Sequence, residues 1–192
     1  SYDTTIKASI ELFANKTIEF SEIQAKRNAG GYNNDWVLTK ALLNDMGIDK
    51  SLQEVTDAFQ DLYIGTYSAN EKPLIKAEFT QGITTSKSPT FAIVTGRPLQ
   101  EAKSGQNMVG LQELAIISMD CAPPKPAPDG IISLQKKFGK RSWMFGDNPD
   151  DIEAAHGSGS VAIGIRAEDQ QALYDAGADI VVASINELEQ WL

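Results

Sequence analysis

Residues 142–155 read SWMFGDNPDDIEAA, and the fold turns on how this stretch changes character part-way along. Ser142 to Gly146 is a short apolar run bounded by turn residues, the pattern of a strand covered on both faces. Asp147, Asp150 and Asp151 follow at the strand's carboxyl end, just before a helical stretch. Working outward, the same alternation recurs. FAIVTG (91–96), LAIIS (114–118), VAIGI (161–165) and DIVVAS (179–184) are β-branched runs, separated by helix-like stretches such as DGIISLQKKFG (129–139) and AEDQQALYDAG (167–177). Strands alternating with helices specify an α/β domain built on a parallel sheet.

The first 70 residues lack strand signals. Ile6, Ile10 and Phe13, then Trp36, Leu38, Leu42 and Leu43, then Leu52, Val55, Phe59 and Leu62 fall at helical spacing. Between the first two sets lies RNAGGYNNDW (27–36), where Gly30 and Gly31 break the periodicity and Asn33, Asn34 or Asp35 can cap the next helix. The expected division is therefore a helical lobe over 1–70 and an α/β core over 71–192, with 71–90 read as the hinge between them.

Composition narrows the function. Lys+Arg 17 against Asp+Glu 26 gives a net charge of −9, which opposes non-specific binding to nucleic acid or to anionic membranes. No apolar stretch approaches the roughly 20 residues needed to cross a bilayer, and no signal-peptide pattern opens the chain. One cysteine, Cys121, cannot form an internal disulfide, so a reducing compartment, the cytoplasm, is expected. Cys121 itself reads as a small buried filler. His156, the single histidine, reads as a helix-end residue with no catalytic role. A small phosphorylated metabolite remains an admissible partner, because a bound cation reverses the local field of an acidic protein. Oligomeric state is not legible.

In open α/β sheets ligands bind beyond the carboxyl ends of the strands, so the residues after each apolar run carry the chemistry. FAIVTGRP (91–98) delivers Thr95, Gly96 and Arg97. A hydroxyl and backbone N–H groups before a helix form a phosphate cradle, although a plain Thr-Gly turn gives the same letters. LAIISMDCAPPKPAPDG (114–130) delivers Asp120 and then Lys125, whose flanking prolines Pro124 and Pro126 restrict the backbone on both sides. SWMFGDNPDDIEAA delivers Asp147, Asp150 and Asp151. Carboxylates crowded at one strand end repel one another unless a cation such as magnesium neutralises them, or unless Asp150 and Asp151 merely complement a helix dipole.

Taken together, the order and spacing of these three strand ends resemble the haloacid dehalogenase superfamily, in the branch with an α-helical cap inserted near the N-terminus, similar to phosphoglycolate phosphatases and β-phosphoglucomutases. IVTGRP is similar to its second motif, PPKPAPDG to its third and GDNPDDIEAA to its fourth. The resemblance implies a Rossmann-like parallel core with a small helical cap and an Mg2+-dependent phosphohydrolase. Thr95 would bind phosphate with help from Gly96 and Arg97, Lys125 would stabilise the nucleophile, and Asp147 and Asp151 would hold the metal with support from Asp150. Asn33, Asn34 and Trp36 would face the substrate from the cap. The family's first motif, an apolar strand ending in Asp-x-Asp, has no counterpart here, and Asp3 follows no apolar strand. That nucleophile is therefore expected upstream of Ser1, and the 192 residues by themselves are expected to be inactive. A phosphomutase shares every residue quoted. A true dehalogenase fits the three carboxylates poorly, and a non-catalytic metabolite-binding relative is the reading if no upstream Asp-x-Asp exists.

Overall fold

The computed structural model of the chain describes residues 2–85 and 90–191 and divides into two compact units, 1–72 and 73–192. Among its described residues the first unit contains four α-helices, α1 (Tyr2–Ala14), α2 (Phe20–Asn28), α3 (Asp35–Asp45) and α4 (Leu52–Leu62), followed by a π-helical turn (Tyr63–Tyr67) and a 3-10 turn (Ser68–Asn70). Its core gathers Ile6 and Ile10 of α1, Ile23 of α2, Leu38, Leu42 and Leu43 of α3, and Val55 and Phe59 of α4. These are among the helical-period positions of the sequence, with Ile23 as an addition; Leu52, read at the same period, is 42% exposed instead. The helix starts are chemically fixed. Asn34 Oδ1 accepts from the amides of Trp36 (2.9 Å) and Val37 (3.2 Å), and Ser51 and Glu54 form a reciprocal capping box on α4.

Among the described residues the second unit carries five strands, in two groups each paired in parallel. Strands β1 (Ala92–Val94) and β2 (Ala115–Ile117) pair in the register Ile93↔Ile116. Strands β3 (Trp143–Gly146), β4 (Val161–Ile165) and β5 (Ile180–Val182) pair in the order β3-β4-β5, with Gly146↔Gly164 and Gly164↔Val181. Each strand falls within a run identified from the sequence. Helices α6 (Leu99–Met108), α7 (Asp129–Phe138), α8 (Pro149–Gly157) and α9 (Gln171–Asp175) connect them. Pro98 and Pro128 each stand one residue before a helix rather than inside it.

Strand coverage in this unit is uneven. The strand β4 is buried through its middle, whereas β1 and β3 are only half-covered, and Trp143 at the start of β3 is 57% exposed. Among the described residues no strand pairs with the remaining edge of β1 or of β3. Residues 71–90 differ from the expected hinge, since Ala77–Thr85 forms helix α5, which buries Phe79, Thr80 and Ile83. Phe79 and Ile83, four apart on one face, join a core with Leu111 and Leu188 and with Phe145 packed against them. Residues 86–89 of that stretch lie outside the described residues.

Candidate active site

Gly146 ends β3, and the next residues turn sharply into α8. The turn is organised by Asp151, which is 2% exposed. Its Oδ2 accepts from the backbone N–H groups of Asp147 and Asn148, both at 3.0 Å, and its Oδ1 is ion-paired with Lys125 Nζ. The Lys125 side chain is itself only 10% exposed. A buried carboxylate of this kind is tolerated because one oxygen meets two donors and the other a cation. Gly146 is required beneath it, since a Cβ at that position would overlap the Asp151 side chain.

Thr95 stands at the end of β1, where its N–H continues the ladder to Ile117 O (2.9 Å) and its Oγ1 accepts from Arg97 N (3.1 Å). The loop after β2 closes over it. Asp120 Oδ2 accepts from Leu99 N (2.7 Å), capping α6, and Met119 N donates to Arg97 O (3.4 Å). A small cavity between the ends of β1 and β2 is lined by Thr95, Ser118, Met119, Pro124 and Lys125, with Gly130 at its floor. A side chain at Gly130 would press on Val94 Cγ1 at 3.0 Å and Ile117 Cγ2 at 3.2 Å, so glycine is what lets α7 approach the strands this closely.

Thr95 and Lys125 thus share a cavity, and Lys125, Asp151 and Asp147 form one bonded chain. Asp147 is exposed and its Oδ1 accepts from Asn148 Nδ2 (3.1 Å). Asp150 is buried, 2% exposed. Among the described residues no three acidic, histidine or cysteine side chains converge as a metal cluster. The donors on offer at this strand end are carboxylate oxygens, which suit a hard divalent cation rather than a thiophilic one. Asp151 is engaged by Lys125 and by the turn that opens α8, so Asp147 is the carboxylate that reaches the surface here.

In the helical unit Asn34 is occupied as the α3 cap and Trp36 packs against the core; Asn33 is half-buried beside them. Hydrophobic periodicity does not point to Arg27, 13% exposed, which pairs with Asp3 at 2.6 Å and Asp35 at 2.5 Å. Burial draws its pKa down, but the two carboxylates outweigh that and hold it above its ordinary value. Asp3 is therefore a helix residue bound to arginine. His156, in the last turn of α8, donates through Nε2 to Gly177 O at 2.8 Å. Cys121 corrects a second expectation, since it is exposed rather than a buried filler. The Ser118 hydroxyl, 3.4 Å from its sulfur, lowers the thiol pKa. Cys121 closes the turn that begins at Ser118, its N–H donating to Ser118 O at 3.0 Å.

A model of the haloacid dehalogenase-like hydrolases matches residues 2–159. The protein called imidazoleglycerol-phosphate dehydratase in Phytophthora nicotianae is 30% identical over 164 residues, which cover 78% of this chain but 36% of that protein. The chain thus spans about a third of the length of that relative. Among solved structures, a hydrolase from Pseudomonas syringae superposes with a TM-score of 0.76 at 17% identity, covering 98% of this chain and 89% of its own. A predicted phosphoglycolate phosphatase from Haemophilus somnus 129PT gives 0.72 at 15% identity, with 99% and 89% covered. At these identities the two structures speak to the fold, which combines an α/β core of parallel strands with a helical unit.

Proposed function

The chain belongs to the haloacid dehalogenase-like hydrolase family, and from that premise we propose that it forms the greater part of a magnesium-dependent phosphohydrolase acting on small phosphate monoesters. The observation that carries this reading is the buried Lys125–Asp151 pair, set between the Thr95 cavity and the exposed carboxylate of Asp147. A carboxylate able to hold a cation, a fixed ammonium and a hydroxyl donor, supplied from the ends of β3, β2 and β1, are what a transferring phosphoryl group requires.

Each residue has a defined task. Arg97 N already donates to Thr95 Oγ1, which leaves the hydroxyl proton to donate to a phosphate oxygen. Lys125, held by Asp151, faces the developing negative charge without having to be ordered at the moment of reaction. Asp147 offers a carboxylate to the metal, and hydrolases of this family generally use a divalent one. When bound, that cation offsets charge on the transferred group. The nucleophile is proposed to be the first Asp of an Asp-x-Asp segment upstream of Ser1. It attacks phosphorus while the second Asp protonates the leaving oxygen; water, deprotonated by that second Asp, then attacks the aspartyl-phosphate and returns the carboxylate. The half-covered edges of β1 and β3 support a place for the strand that would carry it.

The test is an assay of the full-length gene product on an aryl phosphate and a panel of glycolate and sugar phosphates, with and without chelator. Turnover is expected with magnesium and should vanish on chelation. Asp147→Asn should depress it by about two orders of magnitude or more. Metal-independent turnover, or halide release from a haloacid at a comparable rate, overturns the reading. Transfer of the phosphoryl group to a sugar instead of water identifies a mutase on the same residues.

A further inference from the structure

Arg166, the residue that follows β4, belongs to none of the three motif-bearing strand ends. Parallel pairing of β3 and β4, with Gly146 beside Gly164, carries Arg166 to the same end of the sheet as Asp147. There its Nη2 donates to the backbone carbonyl of Asp147 at 2.5 Å. We infer that Arg166 is a positioning residue for metal binding: it fixes the peptide of Asp147 and so the direction from which that carboxylate meets the cation. The inference rests on the metal-dependent phosphohydrolase reading and assigns a part of the site to a strand that reading does not use.

Arg166 is itself held by three residues, through both its main chain and its side chain. Its N–H donates to Val182 O (2.8 Å), and its carbonyl accepts from Gln170 Nε2 (2.8 Å). Its guanidinium lies 3.4 Å from Asp169 O through Nη1 and 3.9 Å from Asp169 Oδ2. Asp169 adopts φ +50°, a left-handed conformation that non-glycine residues seldom take, and that turn presents both oxygens to the guanidinium. The arginine side chain is 10% exposed. A side chain ordered to this degree is a brace, not a solvated charge.

Two effects of opposite sign compete. A guanidinium beside a carboxylate repels an incoming cation, whereas a brace on the ligand's peptide lowers the cost of ordering the site. The second prevails because Asp169 offsets the arginine's charge and because the bond goes to the main chain of Asp147. Removing the brace is therefore expected to weaken metal binding, and removing a merely repulsive charge would strengthen it.

Mn2+ binding to the full-length gene product, followed by electron paramagnetic resonance of the free ion, separates these outcomes without any assay of activity. Arg166→Met should weaken binding by about tenfold or more, the range found when partners behind metal ligands are removed, and Arg166→Lys should recover part of the loss. Arg166→Met binding within about twofold of wild type, or more tightly, overturns the inference. Should that variant fail to fold, Arg166→Lys compared with wild type decides the matter, since it keeps the positive charge and loses the fixed guanidinium fork. A weakening of the same sign supports the brace and unchanged binding overturns it. Asp147→Asn is the control for the parent reading. If it binds Mn2+ as tightly as wild type, or if wild type binds none, the metal site is misassigned and this inference falls with it; if Asp147→Asn alone weakens binding, only the role of Arg166 fails.

Discussion

A lysine and an aspartate that bury each other are unequal in what they leave behind. Lys125→Met removes the cation from Asp151, whose carboxylate is 2% exposed, and should destabilise the protein by about 3–5 kcal/mol. Adding Asp151→Asn should recover part of that loss, because the amide oxygen still accepts the two backbone N–H bonds while the uncompensated charge is gone. Urea unfolding of the two single variants and the double variant measures the coupling. Gly146→Ala is expected to cost about 1–3 kcal/mol by the same readout, since the methyl must displace Asp151. Lys125 was legible from its stiff proline setting and motif order, but its partner was not. The spacing of Asn148 to Asp151, three residues around Pro149, was the available sign of a capping box, and it competes with the metal-ligand pattern for the same letters. Arg166 left no local sign at all, because its contact depends on the β3–β4 register.

Helix ends carry the pH dependence. Glu54 in the α4 capping box accepts from the Ser51 N–H and hydroxyl, with Lys50 adding attraction, and its pKa falls from its ordinary 4.5 to about 2. The folded carboxylate is depressed, so its stabilisation is present above pH 4.5 and is lost as pH falls toward 2. Glu101 on α6 is opposite in sign. Burial raises it from 4.5 to about 7, so the folded state binds the extra proton and stability declines as pH rises through that interval. Glu101→Gln should therefore raise the melting temperature more at pH 8 than at pH 5, whereas Glu54→Gln should flatten only the acid limb. Thermal unfolding from pH 3 to 8 distinguishes them. The five strands were legible as uninterrupted apolar runs. Helix α5 was not, because Gly82 and the β-branched Thr80, Ile83, Thr84 and Thr85 are weak helix formers, and only the pair Phe79 and Ile83 marks its buried face.

Over the whole molecule, the two units divide at an irregular, largely exposed stretch, 71–76, in which Leu74 is 90% exposed. Limited trypsin digestion should cut first after Lys76, with Lys72 protected by the proline that follows it, and mass spectrometry of the fragments checks this. The sequence reading placed the end of the helical lobe near residue 70 and the start of the β-branched runs at Phe91, and helix α5 fills part of the interval. The exposed start of β3 and the half-covered β1 have a further, colloidal consequence. A flat apolar edge with its ladder groups uncommitted is a template for a foreign strand. Expressed by itself, the 192-residue chain should form oligomers that grow with concentration in light scattering. Trp143→Lys, which places a solvated charge where the edge begins, should hold it monodisperse while leaving its circular dichroism unchanged. On that expectation, two short rows of peptide groups, rather than the hydrophobic cores, set how the 192-residue chain behaves at high concentration.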